Sequence, residues 1–278
     1  MGDDCSSYKN LARILVIAGS DSGSAAGIQA DIKTIMQLGG YATTAIAALT
    51  AQNTQTITDI FAVPVSFLEA QIKAIMSDIG ADIIKTGMLY SDENILFTSQ
   101  FLKENPHIPS IVDPVLKATT GASLTQDDKA DLYRQYLIPT ATLVTPNIIE
   151  AETLTGIPIK TVNDMQAAAL AIYQMGCKAV LVKGGHLQSS SITDVLFDGI
   201  RWHLFTSPRI SIRDVHGTGC TLAAAIACAL AQKKSLTEAV QYARTYVIAA
   251  IEQALPIGCK YAPLNHAVSI TTFQPEGV

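Results

Sequence analysis

Residues 213–230 read RDVHGTGCTLAAAIACAL, a short glycine-containing turn set directly before an apolar, alanine-rich run. Gly217 and Gly219 let the backbone curl closely around a ligand. A helix N-terminus exposes N–H groups and carries partial positive charge, so an anion such as a phosphate group belongs there. Neither common phosphate signature applies, because GxxxxGK[ST] is missing and the early stretch GSDSGSAAG lacks GxGxxG. Cys220 falls at the mouth of this helix, where a thiol pKa tends to drop. A small buried packing residue would suit the same place, and position alone leaves both readings open.

Other reactive groups stand behind separate apolar runs. Lys183 closes AVLVKGG, and the two glycines after it allow close ligand approach. Asp113 in DPVL and Glu150 in TPNIIE follow two further runs. Two carboxylates beside a phosphate cradle suggest Mg²⁺, which binds through few carboxylates plus water and phosphate oxygens. Glu150 could equally cap the helix that follows it. His216 is read as a turn residue in preference to a ligand contact, His186 and His203 as surface residues, and Cys228 as a packing residue.

These groups need a scaffold, and the chain alternates strand-like and helix-like segments. RILVIAGS, YATTAIAAL, ADIIKTGM, SIVDPVL, ATLVTPN and KAVLVKGG read as strands. AGIQADIKTIMQLGG, SFLEAQIKAIMSDIG, residues 92–104, DDKADLYRQYLI and NDMQAAALAIYQMG read as helices between them. Ser66, with Glu69 three residues on, is the expected cap of the second helix. This rhythm predicts an α/β fold with a parallel sheet and helices on both faces. TDVLFDGIRWHLFTS then predicts a hairpin around its Asp-Gly turn. Two long helices are expected at about 218–232 and 236–254. Ligands of such sheets bind beyond the carboxyl ends of the strands, which is where the small, polar and ionisable residues collect.

The bulk properties exclude several classes. Residues 12–278 are expected to form one domain behind a flexible tail, residues 1–11. The tail MGDDCSSYKN is polar and acidic, unlike a signal peptide. Its Gly2 and Ser6 fit the loose myristoylation pattern, which is read as chance. A net charge of −5 and the lack of a basic run point away from nucleic acid. The longest apolar stretch, about residues 220–231, is shorter than a membrane span. The five cysteines (Cys5, Cys177, Cys220, Cys228, Cys259) form no CxxC pair or zinc spacing, as expected of free thiols in a reducing cytoplasm.

Taken in order, AGSDSGSAAGIQADIKT, ALTAQNT, KTGM, DPVL, TPNIIEA, VKGGH and HGTGCTLAAAIA resemble the hydroxymethylpyrimidine/phosphomethylpyrimidine kinases of thiamine biosynthesis. The resemblance spans roughly residues 12 to 266. It implies a three-layer α/β/α ribokinase-like fold with a mainly parallel central sheet. It also implies ATP-dependent phosphorylation of 4-amino-5-hydroxymethyl-2-methylpyrimidine and then of its monophosphate, with ATP and Mg²⁺, in a cytoplasmic homodimer. By the same resemblance, Gly217, Thr218, Gly219 and Cys220 match an anion hole for the transferring phosphoryl group, and Cys220 matches the base or a residue positioning the alcohol. Lys183 matches a phosphate contact, and Asn147, with Thr218, matches the nucleotide side. Asp113 and Glu150 match the magnesium region. Gln52 and Asp31 match residues near the pyrimidine, and Gly19, Met88 and Val115 match pocket walls.

Two departures stand out. The family commonly reads GSDSSGGAGIQAD at the first turn, where this chain has GSDSGSAAGIQAD. Ser24 and Ala25 replace a Gly-Gly pair that tolerates positive φ, so the loop beside the substrate is expected to take a different path. PIGCKYAPLNH also lacks the usual GHG-like run. Two other readings compete: a pyridoxal or pyridoxine kinase on the same scaffold, which TAQNT disfavours, and a non-catalytic ligand-binding relative.

Overall fold

The computed structural model describes residues 11–116, 129–187, 190–210 and 215–269. The acidic tail with Gly2, Cys5 and Ser6, and the start of the DDKADLYRQYLI segment, lie outside the described residues.

In chain order the elements begin β1 (Arg13–Asp21), α1 (Gly27–Gln37), β2 (Tyr41–Gln52), β3 (Ile57–Ala62), α2 (Val65–Asp78), β4 (Ile83–Thr86), α3 (Asp92–Glu104) and β5 (Ser110–Val112). A short helix α4 (Ala130–Leu132) follows, then β6 (Leu143–Val144), α5 (Ile148–Thr155), α6 (Val162–Tyr173) and β7 (Val180–Val182). The hairpin strands β8 (Ser191–Phe197) and β9 (Trp202–Pro208), the two-residue strand β10 (Val215–His216), α7 (Thr218–Ala231), α8 (Leu236–Glu252) and β11 (Ala262–Pro263) complete the chain.

Nine strands form one sheet in the order β3-β2-β1-β4-β5-β6-β7-β8-β9. Strands β2 to β7 of that order run parallel, while β3, β8 and β9 are antiparallel additions at the two edges. The central strands are continuous apolar runs because both faces are covered. One face packs on α1, α7 and α8, and the other on α2, α3, α5 and α6. Helix α7 is buried from Thr221 through Ala229, which explains its alanine-rich composition: small side chains bring it close to the sheet.

The order reverses at β1, whose neighbours are β2 on one side and β4 on the other. Such a switch point opens a crevice at the carboxyl ends of the strands. The β1–β2 register also shifts between Ala18 and Gly19, which redirects the end of β1.

Some details depart from the sequence expectations. Ser66 does not cap α2. The N-cap is Pro64, two residues earlier, and Glu69 pairs with Lys73 instead. Strand β3 was not among the expected elements; it is an edge strand with a largely exposed, non-alternating pattern. Helix α5, expected at Glu150 without stated bounds, spans little more than two turns.

Candidate active site

A cavity of about 690 Å³ runs along the carboxyl-end edge of the sheet. Of the residues singled out above, Gly19, Gln52, Met88, Asp113, Val115, Asn147, Glu150, Lys183 and the turn Gly217–Cys220 all line it. Asp31 does not.

The HGTGC turn ends in Gly217 at φ +88, which serves as the N-cap of α7 and offers no capping side chain. The first-turn N–H groups are therefore left for a ligand. A Cβ on Gly217 would sit 1.8 Å from the Ala25 carbonyl oxygen. Glycine is thus required both by the backbone angle and by the loop from β1 that packs against the turn.

That loop is held by Asp21. Its carboxylate accepts N–H bonds from Gly23 at 2.7 Å, Ala25 at 3.0 Å and Ala26 at 2.8 Å. Ser24 adopts φ +63, a left-handed conformation ordinarily left to glycine. Of the altered positions only Ser24 has positive φ; neither Gly23 nor Ala25 does. Lys33 donates to both the carbonyl and hydroxyl oxygens of Ser24, at 2.8 and 2.9 Å.

Lys183 and Asp113 meet at 2.8 Å between Nζ and Oδ1, and Thr145 donates to the same carboxylate oxygen at 3.0 Å. A Cβ on Gly219 would lie 3.2 Å from Lys183 Nζ and 3.8 Å from Asp113 Oδ2, so the ion pair stands directly against the turn. Burial alone would lower the Lys183 ammonium, but Asp113 and Glu150 hold it above its ordinary value. Glu150 does cap α5. Asn147 Oδ1 accepts its N–H at 2.9 Å, and Asn147 donates its own N–H to Glu150 Oε2 at 2.8 Å. Burial pushes the Glu150 carboxyl up to about 8, Lys183 opposing and the Asp113 charge adding to the rise.

The Cys220 thiol departs from the expected direction. Burial pushes it up to about 11, against the pull of Lys85 and with the charges of Asp31 and Asp113 adding to the rise. The desolvation at this helix mouth outweighs the favourable positive surroundings. At neutral pH the group is a thiol.

Asp31 lies inside the protein, paired with Lys85 at 2.9 Å, and neither side chain is exposed. Lys85, within the KTGM strand, reaches the cavity wall and had drawn no notice in the sequence. Burial acts to lower its ammonium, but Asp31, Cys220 and Asp113 raise it further. A lysine in an apolar strand reads as a strand end, and only the distant Asp31 makes it tenable inside.

His216 corrects another expectation. It is no turn residue but half of β10, paired to β11, and it is buried in the cavity wall. Its Nε2 lies 2.8 Å from the Gln52 amide. His186, as expected, is exposed, yet it borders the same cavity, while His203 pairs with Asp198 at 2.7 Å. Cys228 is a buried packing residue. No described helix is long and apolar enough to cross a membrane.

The model of the family described as phosphomethylpyrimidine kinase matches residues 21–265. The chain is 42% identical over 258 residues to the hydroxymethylpyrimidine/phosphomethylpyrimidine kinase of Bacillus subtilis, covering 92% of this chain and 95% of that protein. It is 46% identical over 256 residues to a thiamine biosynthesis bifunctional protein of Geobacter sulfurreducens, covering 92% of this chain and 52% of that one, so it spans about half of that relative's length. Among solved structures, the pyridoxal kinase of Staphylococcus aureus in complex with AMP-PCP and pyridoxal superposes with a TM-score of 0.84 at 34% identity, covering 92% of this chain and 94% of that one. That likeness makes the fold ribokinase-like, and nucleotide-bound relatives support the use of ATP. The motifs, the sheet order and these matches lead to one conclusion: the chain is a phosphotransferase and belongs to the phosphomethylpyrimidine kinase family.

Proposed function

We propose that the chain phosphorylates 4-amino-5-hydroxymethyl-2-methylpyrimidine on its primary alcohol and then phosphorylates the monophosphate to the diphosphate, using ATP. What carries this reading is the continuity of one cavity. Gln52 stands in the same cavity wall as the Gly217–Cys220 turn, Lys183, Asp113 and Glu150. A Gln amide offers both a donor and an acceptor to an aminopyrimidine edge.

Each residue then has a task. The first N–H groups of α7 bind the phosphoryl oxygens as charge spreads over them. Lys183 neutralises the transferring phosphate, and Asp113 holds that lysine in place. Asn147 and Thr218 contact the nucleotide phosphates. Cys220, as a neutral thiol, orients the attacking alcohol, and in a loose transition state the alcohol proton leaves late, so a strong base is not required. Asp31 supports the pyrimidine end indirectly, by keeping Lys85 buried and charged.

Mg²⁺ suits the donor set. Among the described residues no three His, Cys, Asp or Glu side chains gather as a metal cluster. Asp113 and Glu150 would hold the ion together with phosphate oxygens and water, both carboxylates lining the same cavity. The ion would supply charge neutralisation on the nucleotide phosphates.

We further read the chain as a cytoplasmic homodimer. Leu49 and Phe61, cross-strand partners on β2 and β3, are both exposed and give a second copy an apolar face. Sedimentation at micromolar concentration tests this, and a monomer would refute it. A time course of the kinase reaction followed by mass spectrometry tests the main reading. Monophosphate should rise first and diphosphate at its expense, and an unchanged pyrimidine alcohol would sink the proposal.

A further inference from the structure

Gln52 belongs to a chain of hydrogen bonds whose direction can be worked out by counting protons. Thr50 Oγ1 lies 3.0 Å from the Ser20 carbonyl oxygen and 3.3 Å from Gln52 Oε1. Gln52 Nε2 lies 2.8 Å from His216 Nε2. Its backbone is fixed as well: Ser22 donates its hydroxyl to the Gln52 carbonyl at 2.7 Å and accepts the Gln52 N–H at 2.8 Å. Only the amide polarity remains to be set, since its oxygen and nitrogen can exchange places without steric cost.

Thr50 has one hydroxyl proton. The Ser20 carbonyl can only accept, and it is the nearer neighbour, so it takes that proton. Lone pairs of Thr50 Oγ1 then face the amide, and only an N–H can meet them favourably. Exchanging the two amide atoms would bring the nitrogen to Thr50 and the oxygen to His216, which would then donate from Nε2. The opposite polarity would set the amide oxygen against the Thr50 lone pairs. It would also require a bare Nε2 and a protonated Nδ1. Nδ1 is buried and has no partner among the described residues, and a buried orphan N–H is less tolerable than a buried orphan lone pair.

The surroundings keep the ring neutral. Among the described residues, Gln52, the carboxylate of Asp21 and the Tyr261 ring, 6.3 Å away between centroids, face it. Burial lowers the His216 imidazole, and only the charge of Asp21 opposes this. A neutral ring has two tautomers, so its single proton selects the amide polarity.

We propose that His216 is a positioning residue that fixes the polarity of the Gln52 amide, and through it the choice of an aminopyrimidine alcohol over a pyridine alcohol. The selectivity part rests on the reading in the preceding section. With nitrogen toward Thr50 and oxygen toward His216, the second N–H and second lone pair of the amide face the ligand in one fixed order. An aminopyrimidine offers an amino donor beside a ring-nitrogen acceptor and fits that order. A pyridoxal ring has no amino donor to place there.

Two measurements test it. In H216F the ring volume is kept and both nitrogens are lost. The KM for the pyrimidine alcohol should rise about 10- to 100-fold, with kcat and the kcat/KM for pyridoxal within about threefold of wild type. H216N, which can still donate to the amide oxygen, should recover part of the loss. Equal losses on both substrates in an H216F protein of unchanged Tm and unchanged AMP-PCP affinity would overturn the proposal. The second measurement needs no substrate: ¹⁵N NMR of the histidine-labelled full chain should find His216 protonated on Nε2 and bare on Nδ1. A proton on Nδ1 would overturn the assignment even if H216F behaved as expected. A wild-type protein that leaves the pyrimidine untouched would overturn the selectivity, together with the proposed function, while the NMR result would decide the tautomer by itself.

Discussion

Lys85 and Asp31 form a salt bridge at 2.9 Å in which neither side chain is exposed. The pair joins β4 to α1 beneath the cavity, and each partner is tolerable there only through the other. Lys85→Met should therefore leave a buried carboxylate without its cation and cost about 3–5 kcal/mol. Removing both charges with Lys85→Met and Asp31→Leu should restore most of that stability. Urea denaturation of the two variants checks the claim, and equal destabilisation by both would contradict it.

Cys220 gives a kinetic prediction. With its thiol at about 11, only a small fraction is thiolate at neutral pH. If the thiol orients the alcohol, kcat should change little between pH 7 and 9. A tenfold rise per pH unit over that range would instead make the thiolate the obligatory base. Cys220→Ala should lower kcat by about 10²-fold, the scale of a misplaced reactant. Cys220→Ser, which keeps a donor and acceptor, should lie between. Alkylation of Cys220 should be slow at pH 7, accelerate toward pH 10 and be blocked by bound substrate.

Ser24 carries backbone strain beside the site, at φ +63. Ser24→Gly should relieve it and raise stability by up to about 1 kcal/mol, despite losing the 2.9 Å bond from Lys33 to the serine hydroxyl. Gly27→Ala should do the reverse. Gly27 has φ +59, and its added Cβ would lie 2.5 Å from the Gly19 carbonyl oxygen. Thermal unfolding of the two variants should show shifts of opposite sign, and a destabilised Ser24→Gly would show that the Lys33 contact outweighs the strain.

His266 predicts an acid limb in stability. It lies 3.0 Å from Thr221 Oγ1 through Nε2, and burial, aided by Lys33, pushes its imidazole down to about 4. The folded pKa is depressed, so this contribution is complete above about pH 6.5 and is lost as the pH falls toward 4. The loss amounts to about 3 kcal/mol. His266→Gln should flatten the urea-denaturation profile between pH 6.5 and 4 by about one proton. An unchanged slope would assign the acid limb to other groups.

The parallel sheet, its helical layers and the β8–β9 hairpin were legible in the sequence because each strand run is apolar and each long helix is periodic. Most cavity-lining motifs were legible because they end or follow apolar strand runs. Long-range partners were not. Lys85 reads as an ordinary strand residue until Asp31, 54 positions away, is brought beside it. His216 reads as a turn residue until Gln52, 164 positions away, meets its ring. Asp31 was placed near the pyrimidine by resemblance, whereas its carboxylate turns inward to Lys85. The direction of the Cys220 shift depends on burial, which a helix start alone does not reveal.

The most direct test of the central claim is a coupled ADP-release assay with ATP and Mg²⁺. It compares hydroxymethylpyrimidine, its monophosphate, pyridoxal and pyridoxine. The first two should turn over at far higher kcat/KM than the vitamers. A preference for pyridoxal or pyridoxine, or silence on all four substrates with nucleotide still bound, would contradict it.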